Sequence, residues 1–93
     1  MGGEPLCPEN LFLTFLVINE VKKHVPDTEI YIWTGYTYEH LLLDSSPRIK
    51  DILAAADYLI DGPYIDALRD ITLPMRGSSN QRIIPLQETR YLT

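Results

Sequence analysis

The amino-acid sequence predicts an α/β domain with a mainly parallel sheet. Two runs, residues 29–34 and 57–61, are apolar without alternation, as in strands that are covered on both faces. A glycine follows each run, and the stretch between the runs has the spacing of helices. Strands that alternate with helices form right-handed crossovers and a parallel sheet. We expect residues 1–93 to form a single domain, as a chain of this length allows.

The first element is a helix that we expect to begin at Pro8 and to end near His24, before Pro26. An apolar stripe runs along this helix, but in its first two turns the apolar residues surround it. They are Leu11, Phe12, Leu13, Phe15, Leu16 and Val17. A helix that is apolar on every side needs neighbours on more than one side, and a small domain has few to offer.

Two further helices are predicted between the two strands. The first covers residues 38–43. The second is expected to have Ser46 as its N-cap and Pro47 at its first position, and to run through Ala56. These helices provide the crossover that a parallel pair of strands requires.

The rest of the chain is predicted to be largely irregular. A short helical turn is expected at residues 65–68, and a polar loop at residues 76–82. Residues 83–86 are typical of a last strand. We place that strand at an edge, because Pro85 cannot donate a hydrogen bond to a neighbouring strand.

The charge of the chain limits the class of partner. The net charge is −5, from 13 acidic and 8 basic side chains, which argues against sequence-independent binding to nucleic acid. The balance is uneven, because residues 75–93 carry three arginines and a single acidic residue, Glu88. We therefore expect a small cationic patch on an acidic body.

The chain has one cysteine, Cys7, so we expect neither an intrachain disulfide nor a multi-cysteine metal site, and no metal ligand is predicted. A domain this small without disulfides is typical of a reducing compartment. No apolar run has the roughly 20 residues that span a bilayer, and residues 1–5 lack the features of a signal peptide. We therefore expect a cytoplasmic protein without a membrane partner.

Polar residues stand where the predicted strands end, and parallel sheets carry functional groups at such points. Thr34 and Gly35 end the first strand, Asp61 and Gly62 end the second, and Glu4 would follow a strand upstream of it. Glycine at these positions lets the backbone approach a ligand closely. Taken singly, each of these groups is better explained as a plain strand-to-helix turn.

Taken together, four stretches resemble one family of enzymes. Residues 2–5 resemble a signature of the radical S-adenosylmethionine enzymes, Gly-Gly-Glu-Pro. Residues 32–36, 59–64 and 76–84 resemble the activating proteins of anaerobic ribonucleoside-triphosphate reductases. The resemblance covers nearly all of the chain but not the family's CxxxCxxC loop, and Cys7 matches none of the cluster cysteines in that loop.

The resemblance implies that this chain is a partial (β/α) barrel fragment of the radical S-adenosylmethionine type. It implies an oxidoreductase that cleaves S-adenosylmethionine reductively and leaves a glycyl radical on its partner, the anaerobic ribonucleoside-triphosphate reductase. The implied cofactors are S-adenosylmethionine and a [4Fe–4S] cluster, and this chain is not expected to hold the cluster. The chain alone is therefore expected to be inactive, and no catalytic residue is predicted.

The resemblance also implies a site for S-adenosylmethionine. The backbone of Gly2 and Gly3, together with the carboxylate of Glu4, would receive the ammonium group in a charge-assisted contact. Thr34 and Asp61, at neighbouring strand ends, are further candidates for the lining of the pocket, by position more than by motif.

The polar loop has two interpretations. Its amides, hydroxyls and guanidiniums would line the cofactor pocket or dock the partner, or the loop would be a solvated turn whose arginines pair with the acidic body. The resemblance favours the first interpretation. The loop consists of Arg76, Gly77, Ser78, Ser79, Asn80, Gln81 and Arg82.

An alternative to an enzyme fragment is a non-catalytic α/β module of the same fold, which binds a ligand or a protein. In either case a fragment that lacks the first units of the barrel has an open sheet edge, and we expect self-association through that edge.

Overall fold

Three helices and three strands lie in residues 4–87, the part of the chain that the computed structural model describes. The helices are α1 (Leu11–His24), α2 (Tyr38–Leu43) and α3 (Pro47–Ala55). The strands are β1 (Tyr31–Trp33), β2 (Tyr58–Asp61) and β3 (Arg82–Pro85), and a 3₁₀ turn lies at Asp66–Leu68. The predicted α/β class is confirmed. None of the described helices is both long and apolar enough to cross a membrane.

The sheet has the strand order β1-β2-β3 and is mixed, which corrects the prediction of a mainly parallel sheet. β1 and β2 are parallel, with Ile32 opposite Leu59, whereas β2 and β3 are antiparallel, with Leu59 opposite Ile84. Residues 62–81, between β2 and β3, contain a 3₁₀ turn but no crossover helix, so the chain turns back beside β2. β3 lies at an edge, as Pro85 predicted.

Helix α1 begins later than predicted, because residues 4–10 form a separate N-terminal turn. The side-chain amide of Asn10 donates to the backbone oxygen of Glu4 at 2.9 Å, and the hydroxyl of Thr14 donates to the backbone oxygen of Pro5 at 2.7 Å. These two bonds fold the N-terminal turn back along the start of α1. The turn is therefore fixed to the helix that follows it.

The core is aliphatic and includes side chains from the helices, the strands and the N-terminal turn. Its members include Leu6, Ile18, Ile32, Leu41, Ile49, Ile52, Leu59, Ile84 and Leu86. Leu6 is only 1% exposed, so the N-terminal turn is an integral part of the packed structure. This packing anchors the N-terminal turn in the core.

Helix α1 is poorly covered. Ile18 is its single buried residue, and Phe12 is 59% exposed. The guanidinium of Arg48 lies over the rings of Phe12 and Phe15, at 5.1 and 4.8 Å from their centroids. An open apolar groove of about 470 Å³ runs between α1 and β1, and within residues 4–87 no strand pairs with the outer edge of β1. The shortage of neighbours predicted for α1 is thus present.

Candidate functional site

The carboxylate of Glu4 binds the exit of β1. Its Oε2 accepts hydrogen bonds from the hydroxyl of Thr34 at 2.7 Å and from the N–H of Leu6 at 2.9 Å, and its Oε1 accepts from the N–H of Gly35. The fit is close, since a Cβ added to Gly35 would lie 3.3 Å from Oε1. The structure thus brings together two predicted site residues, Glu4 and Thr34, that are 30 positions apart.

A second carboxylate lies at the end of β2. Asp61 is 1% exposed and accepts from the N–H of Tyr38 at 2.7 Å and from both Nε and Nη2 of Arg82. The same guanidinium donates to the two carboxylate oxygens of Glu39, at 3.1 and 2.7 Å. Arg82 therefore joins β3 to β2 and α2, and it compensates the buried charge of Asp61.

In this second cluster, the hydrogen bonds between Arg82 and its acidic partners favour the charged forms of Glu39 and Arg82. The side-chain hydrogen bonds from Arg82 lower the pKa of Glu39, and the backbone of Glu39 lowers it further. In return, the hydrogen bonds to Asp61 and Glu39 raise the pKa of Arg82. Glu39 and Arg82 are consequently both charged at neutral pH.

The two carboxylates hold both ends of residues 34–38, the segment that leads from β1 into the first residue of α2. Glu4 binds the beginning of this segment, and Asp61 binds its end. Between these points, the N–H of Gly62 donates to the backbone oxygen of Tyr36 at 2.8 Å. Glu4 and Asp61 are thus parts of two separate clusters that share one segment.

Gly2 and Gly3, which were predicted to complete the cofactor site, lie outside the described residues. A cleft of about 310 Å³ opens between the N-terminal turn and α2. Tyr36 and His40 line this cleft, and their rings stack with centroids 5.4 Å apart. Through Tyr36, the cleft adjoins the segment that the two carboxylates hold.

Side chains of the polar loop form hydrogen bonds with the backbone of the loop itself. The Oε1 of Gln81 accepts from the N–H of Gly77 at 2.8 Å and from that of Ser78 at 3.2 Å. The Nε2 of Gln81 donates to the backbone oxygen of Gly62 at 3.0 Å. Gln81 therefore closes the loop and ties it to the residue that follows β2.

Asn80 and Ser78 tie the loop to the chain just beyond β2. Asn80 donates to the backbone oxygen of Pro63 at 2.8 Å and accepts from the hydroxyl of Ser78 at 2.6 Å. That hydroxyl also accepts from the N–H of Ile65 at 3.2 Å. Ser79, in contrast, is exposed. The polar groups of Ser78, Asn80 and Gln81 thus shape the loop.

The two arginines of the loop have different surroundings. Arg82 uses four of its five N–H donors on Asp61 and Glu39, which agrees with the interpretation that the arginines pair with the acidic body. Arg76 donates from Nη1 to the backbone oxygen of Gln81 at 3.3 Å. Its Nε is buried and has no hydrogen-bond partner within residues 4–87.

Two contacts at the strand ends were not predicted. One joins Glu39 to Arg82, and the other joins Trp33 to Met75, whose backbone oxygen accepts from the indole N–H at 2.7 Å. The backbone of Met75 is left-handed, with φ of 63°. The partners are 43 and 42 positions apart, and no sequence pattern links residues at such distances.

The residues of this chain do not fit an iron–sulfur cluster. Such clusters are held by several cysteine thiolates, whereas Cys7 is the single cysteine of the chain, and its sulfur lies 3.8 Å from a carboxylate oxygen of Glu9. Within residues 4–87, no group of three or more His, Cys, Asp or Glu side chains is placed to hold a metal ion.

A family model described as a 4Fe-4S single cluster domain matches residues 1–84. The chain therefore belongs to the family of 4Fe-4S single cluster domains. Similar curated proteins share the name anaerobic ribonucleoside-triphosphate reductase-activating protein. Those of Pasteurella multocida, Vibrio cholerae and Escherichia coli are 42%, 40% and 32% identical to the chain. These matches confirm the resemblance that the four sequence stretches indicated.

The chain spans about half the length of these relatives. The three matches cover 88%, 88% and 86% of this chain but 51%, 50% and 49% of the relatives. No solved structure matches the chain.

Proposed function

We propose that this chain is the S-adenosylmethionine-binding part of an activating protein for an anaerobic ribonucleoside-triphosphate reductase. A relative that carries this name matches 88% of the chain. The observation that carries the proposal is the placement of the Glu4 carboxylate at the exit of β1, where it is fixed by donors from Leu6, Thr34 and Gly35. It keeps one acceptor position for an ammonium group.

The proposed site consists of Gly2, Gly3, Glu4, Thr34 and Asp61. The backbone of the two glycines and the carboxylate of Glu4 receive the ammonium group of S-adenosylmethionine. Thr34 fixes that carboxylate through its hydroxyl. Asp61 is buried and acts through the backbone, because it holds the end of the segment that follows β1. A site on a fixed segment orients its substrate without reorganisation.

The proposed fold is a fragment of a radical S-adenosylmethionine (β/α) barrel. β1, α2, α3 and β2 form one parallel βαβ unit, which is the repeating element of such barrels. The outer edge of β1 is unpaired within residues 4–87, and the neighbouring apolar groove against α1 is open. We expect two copies of the isolated chain to associate through this edge, which sedimentation at increasing concentration will show.

The activity proposed for the whole protein is reductive cleavage of S-adenosylmethionine, which leaves a glycyl radical on the partner reductase. The residues of this chain do not hold the cluster that supplies the electron in such enzymes. Their part is to bind and orient S-adenosylmethionine, so the chain alone is inactive. The proposed compartment is the cytoplasm, because a domain of this size with one cysteine is typical of reducing conditions.

The polar loop is proposed to face the partner reductase. Its hydrogen bonds fix residues 76–82 against the chain beyond β2, so the surface that the loop presents is preorganised. Gly77 and Ser79 are exposed and are available for contact. Arg82, in contrast, is occupied by Asp61 and Glu39 and has one N–H donor left.

A second candidate function is that of a non-catalytic α/β module that binds a ligand or a protein. This candidate is favoured by the use of Asp61, Arg82 and most polar side chains of the loop in contacts within the chain. It predicts a stable fold without affinity for S-adenosylmethionine.

Calorimetric titration of the folded chain with S-adenosylmethionine separates the two functions. We expect the wild-type chain to bind, and Glu4→Ala to bind about tenfold more weakly, because a charge-assisted contact is lost. Glu9→Ala, at an exposed glutamate of the same turn, is the matched control and is expected to bind as the wild type does. A wild-type chain that is folded and does not bind contradicts the first function and supports the second.

A further inference from the structure

The carboxylate of Glu4 bridges two segments that are distant in the sequence. On one side is the N-terminal turn, from which the N–H of Leu6 donates to Oε2. On the other side is the exit of β1, from which the hydroxyl of Thr34 and the N–H of Gly35 donate. The contact between Glu4 and Gly35 spans 31 positions. A single side chain therefore connects the beginning of the described chain to the sheet.

Most of the hydrogen-bonding capacity of this carboxylate is used within the chain. Two carboxylate oxygens offer about four acceptor positions. Leu6 and Thr34 occupy both positions on Oε2, and Gly35 occupies one position on Oε1. A ligand can reach only the remaining position on Oε1. The principal partners of Glu4 are therefore groups of its own chain.

We propose that Glu4 is a positioning residue that sets the N-terminal turn against the exit of β1. The rest of the turn is fixed independently, by the burial of Leu6 and by the bond from Asn10 to the backbone oxygen of Glu4. The carboxylate thus determines the position of the N-terminal turn relative to the exit of β1. For ligand binding this inference rests on the proposed function. The bridge itself rests only on the contacts of Glu4.

Glutamine is an informative replacement because it keeps the shape of glutamate but can accept at only one end. All three partners of the carboxylate are donors: the N–H groups of Leu6 and Gly35 and the hydroxyl of Thr34. In either orientation, the side-chain NH₂ of glutamine faces a donor. At least one of the two backbone N–H groups is then left without its acceptor.

Amide hydrogen exchange, followed by NMR on the whole 93-residue chain, tests the bridge directly. In Glu4→Gln we expect the N–H of Leu6 or of Gly35 to exchange about tenfold faster. The N–H of Ala56, at the end of α3, reports on global opening and is expected to keep its rate. Glu9→Gln, the control at an exposed glutamate of the same turn, is expected to change none of these rates. Unchanged exchange at both Leu6 and Gly35 in Glu4→Gln overturns the proposal.

A pair of threonine variants separates the bridge from the packing of the side chain. Thr34→Val keeps the shape of threonine and removes the hydroxyl that holds Oε2, whereas Thr34→Ser keeps the hydroxyl. We expect the valine variant to reproduce the faster exchange, and the serine variant to retain nearly wild-type exchange at Leu6 and Gly35. If the two variants show the same exchange rates at Leu6 and Gly35, the contact between the hydroxyl and the carboxylate has no such role.

Binding measurements then separate the positioning role of Glu4 from its proposed direct contact with the ammonium group. The probes are S-adenosylmethionine and 5′-methylthioadenosine, which lacks the ammonium and carboxylate groups. A positioning role predicts that Glu4→Gln and Thr34→Val both weaken the binding of 5′-methylthioadenosine. Glu4→Gln is expected to weaken S-adenosylmethionine further, because it also removes the charge that meets the ammonium group. If Glu4→Gln weakens S-adenosylmethionine alone and Thr34→Val weakens neither, the positioning role is wrong. If the wild-type chain binds neither compound, the proposed function fails, and the exchange rates still decide the role of Glu4.

Discussion

The guanidinium of Arg82 binds the carboxylate of Asp61 through Nε and Nη2, although the two residues are 21 positions apart. The side chain of Asp61 is 1% exposed and that of Arg82 is 48% exposed. The buried acid is therefore compensated by a cation that remains in contact with water. This arrangement lowers the desolvation cost that a fully buried ion pair would have.

Replacing Arg82 with methionine is expected to lower the free energy of unfolding by roughly 2 kcal/mol, because Asp61 is left buried without its cation. The loss stays below the value for a fully buried pair, since water can enter where the exposed arginine stood. Urea unfolding measures the change. Arg69→Met replaces an exposed arginine between β2 and β3 and is expected to change stability by less than about 0.5 kcal/mol. Similar losses in the two variants would show that the pair with Asp61 is unimportant.

The contribution of Glu39 to stability is expected to depend on pH. Its pKa in the folded chain lies below the ordinary value of 4.5, so the unfolded chain takes up the proton more readily as the pH falls. The stabilisation is therefore complete above that value and is lost as the pH falls through the lowered pKa. We expect the stability difference between wild type and Glu39→Gln to be constant from about pH 6 to 8 and to shrink below about pH 4.5. Urea midpoints at a series of pH values test this, and a difference that persists unchanged in acid contradicts it.

Met75 is expected to be a site where glycine stabilises the fold. Its φ of 63° places a side chain in the left-handed region, at a cost of about 1–2 kcal/mol that glycine avoids. After the greater entropy of glycine in the unfolded chain is included, Met75→Gly is expected to gain about 0.5 kcal/mol. Ile71→Gly, at a residue that is 84% exposed in the same segment, is the control and is expected to lose about 0.5–1 kcal/mol. Thermal unfolding measures both variants, and equal losses would show that Met75 is unstrained.

Reconstitution of the 93-residue chain with iron and sulfide is expected to give far less than one [4Fe–4S] cluster per chain. The reason is the supply of thiolates, because Cys7 is the single cysteine. Iron and sulfide analysis with visible absorbance provides the measurement. Cys7→Ser is expected to give the same low content. A stoichiometric cluster in the wild-type chain that is lost in Cys7→Ser contradicts the prediction.

The order of the elements could be predicted because it depends on local patterns. The apolar runs predicted the strands β1 and β2, and Pro85 predicted the edge position of β3. The direction of β3 could not be predicted, because residues 62–81 carry no repeating pattern that distinguishes a return from a crossover. The start of α1 was placed too early, because the fold of the N-terminal turn depends on bonds from Asn10 and Thr14 to backbone oxygens.

The sequence indicated candidate residues for the site but not the contacts that the structure shows for them. Glu4, Thr34 and Asp61 stand out in the sequence because each lies beside a glycine. Their partners do not stand out, because Arg82 reaches Asp61 and Glu39 across 21 and 43 positions. Hydrogen bonds over such separations are determined by the packed sheet and not by local sequence.

The position of Arg82 has a consequence for the time at which the chain can fold during its synthesis. A ribosome makes β1 and β2 well before it reaches β3. Until Arg82 emerges, the carboxylate of Asp61 lacks the cation that compensates its burial. A stable sheet therefore cannot form before β3 is available. We therefore expect nascent chains arrested before residue 82 to remain open to proteases and chaperones, and residues 4–87 to fold together after β3 has left the ribosome.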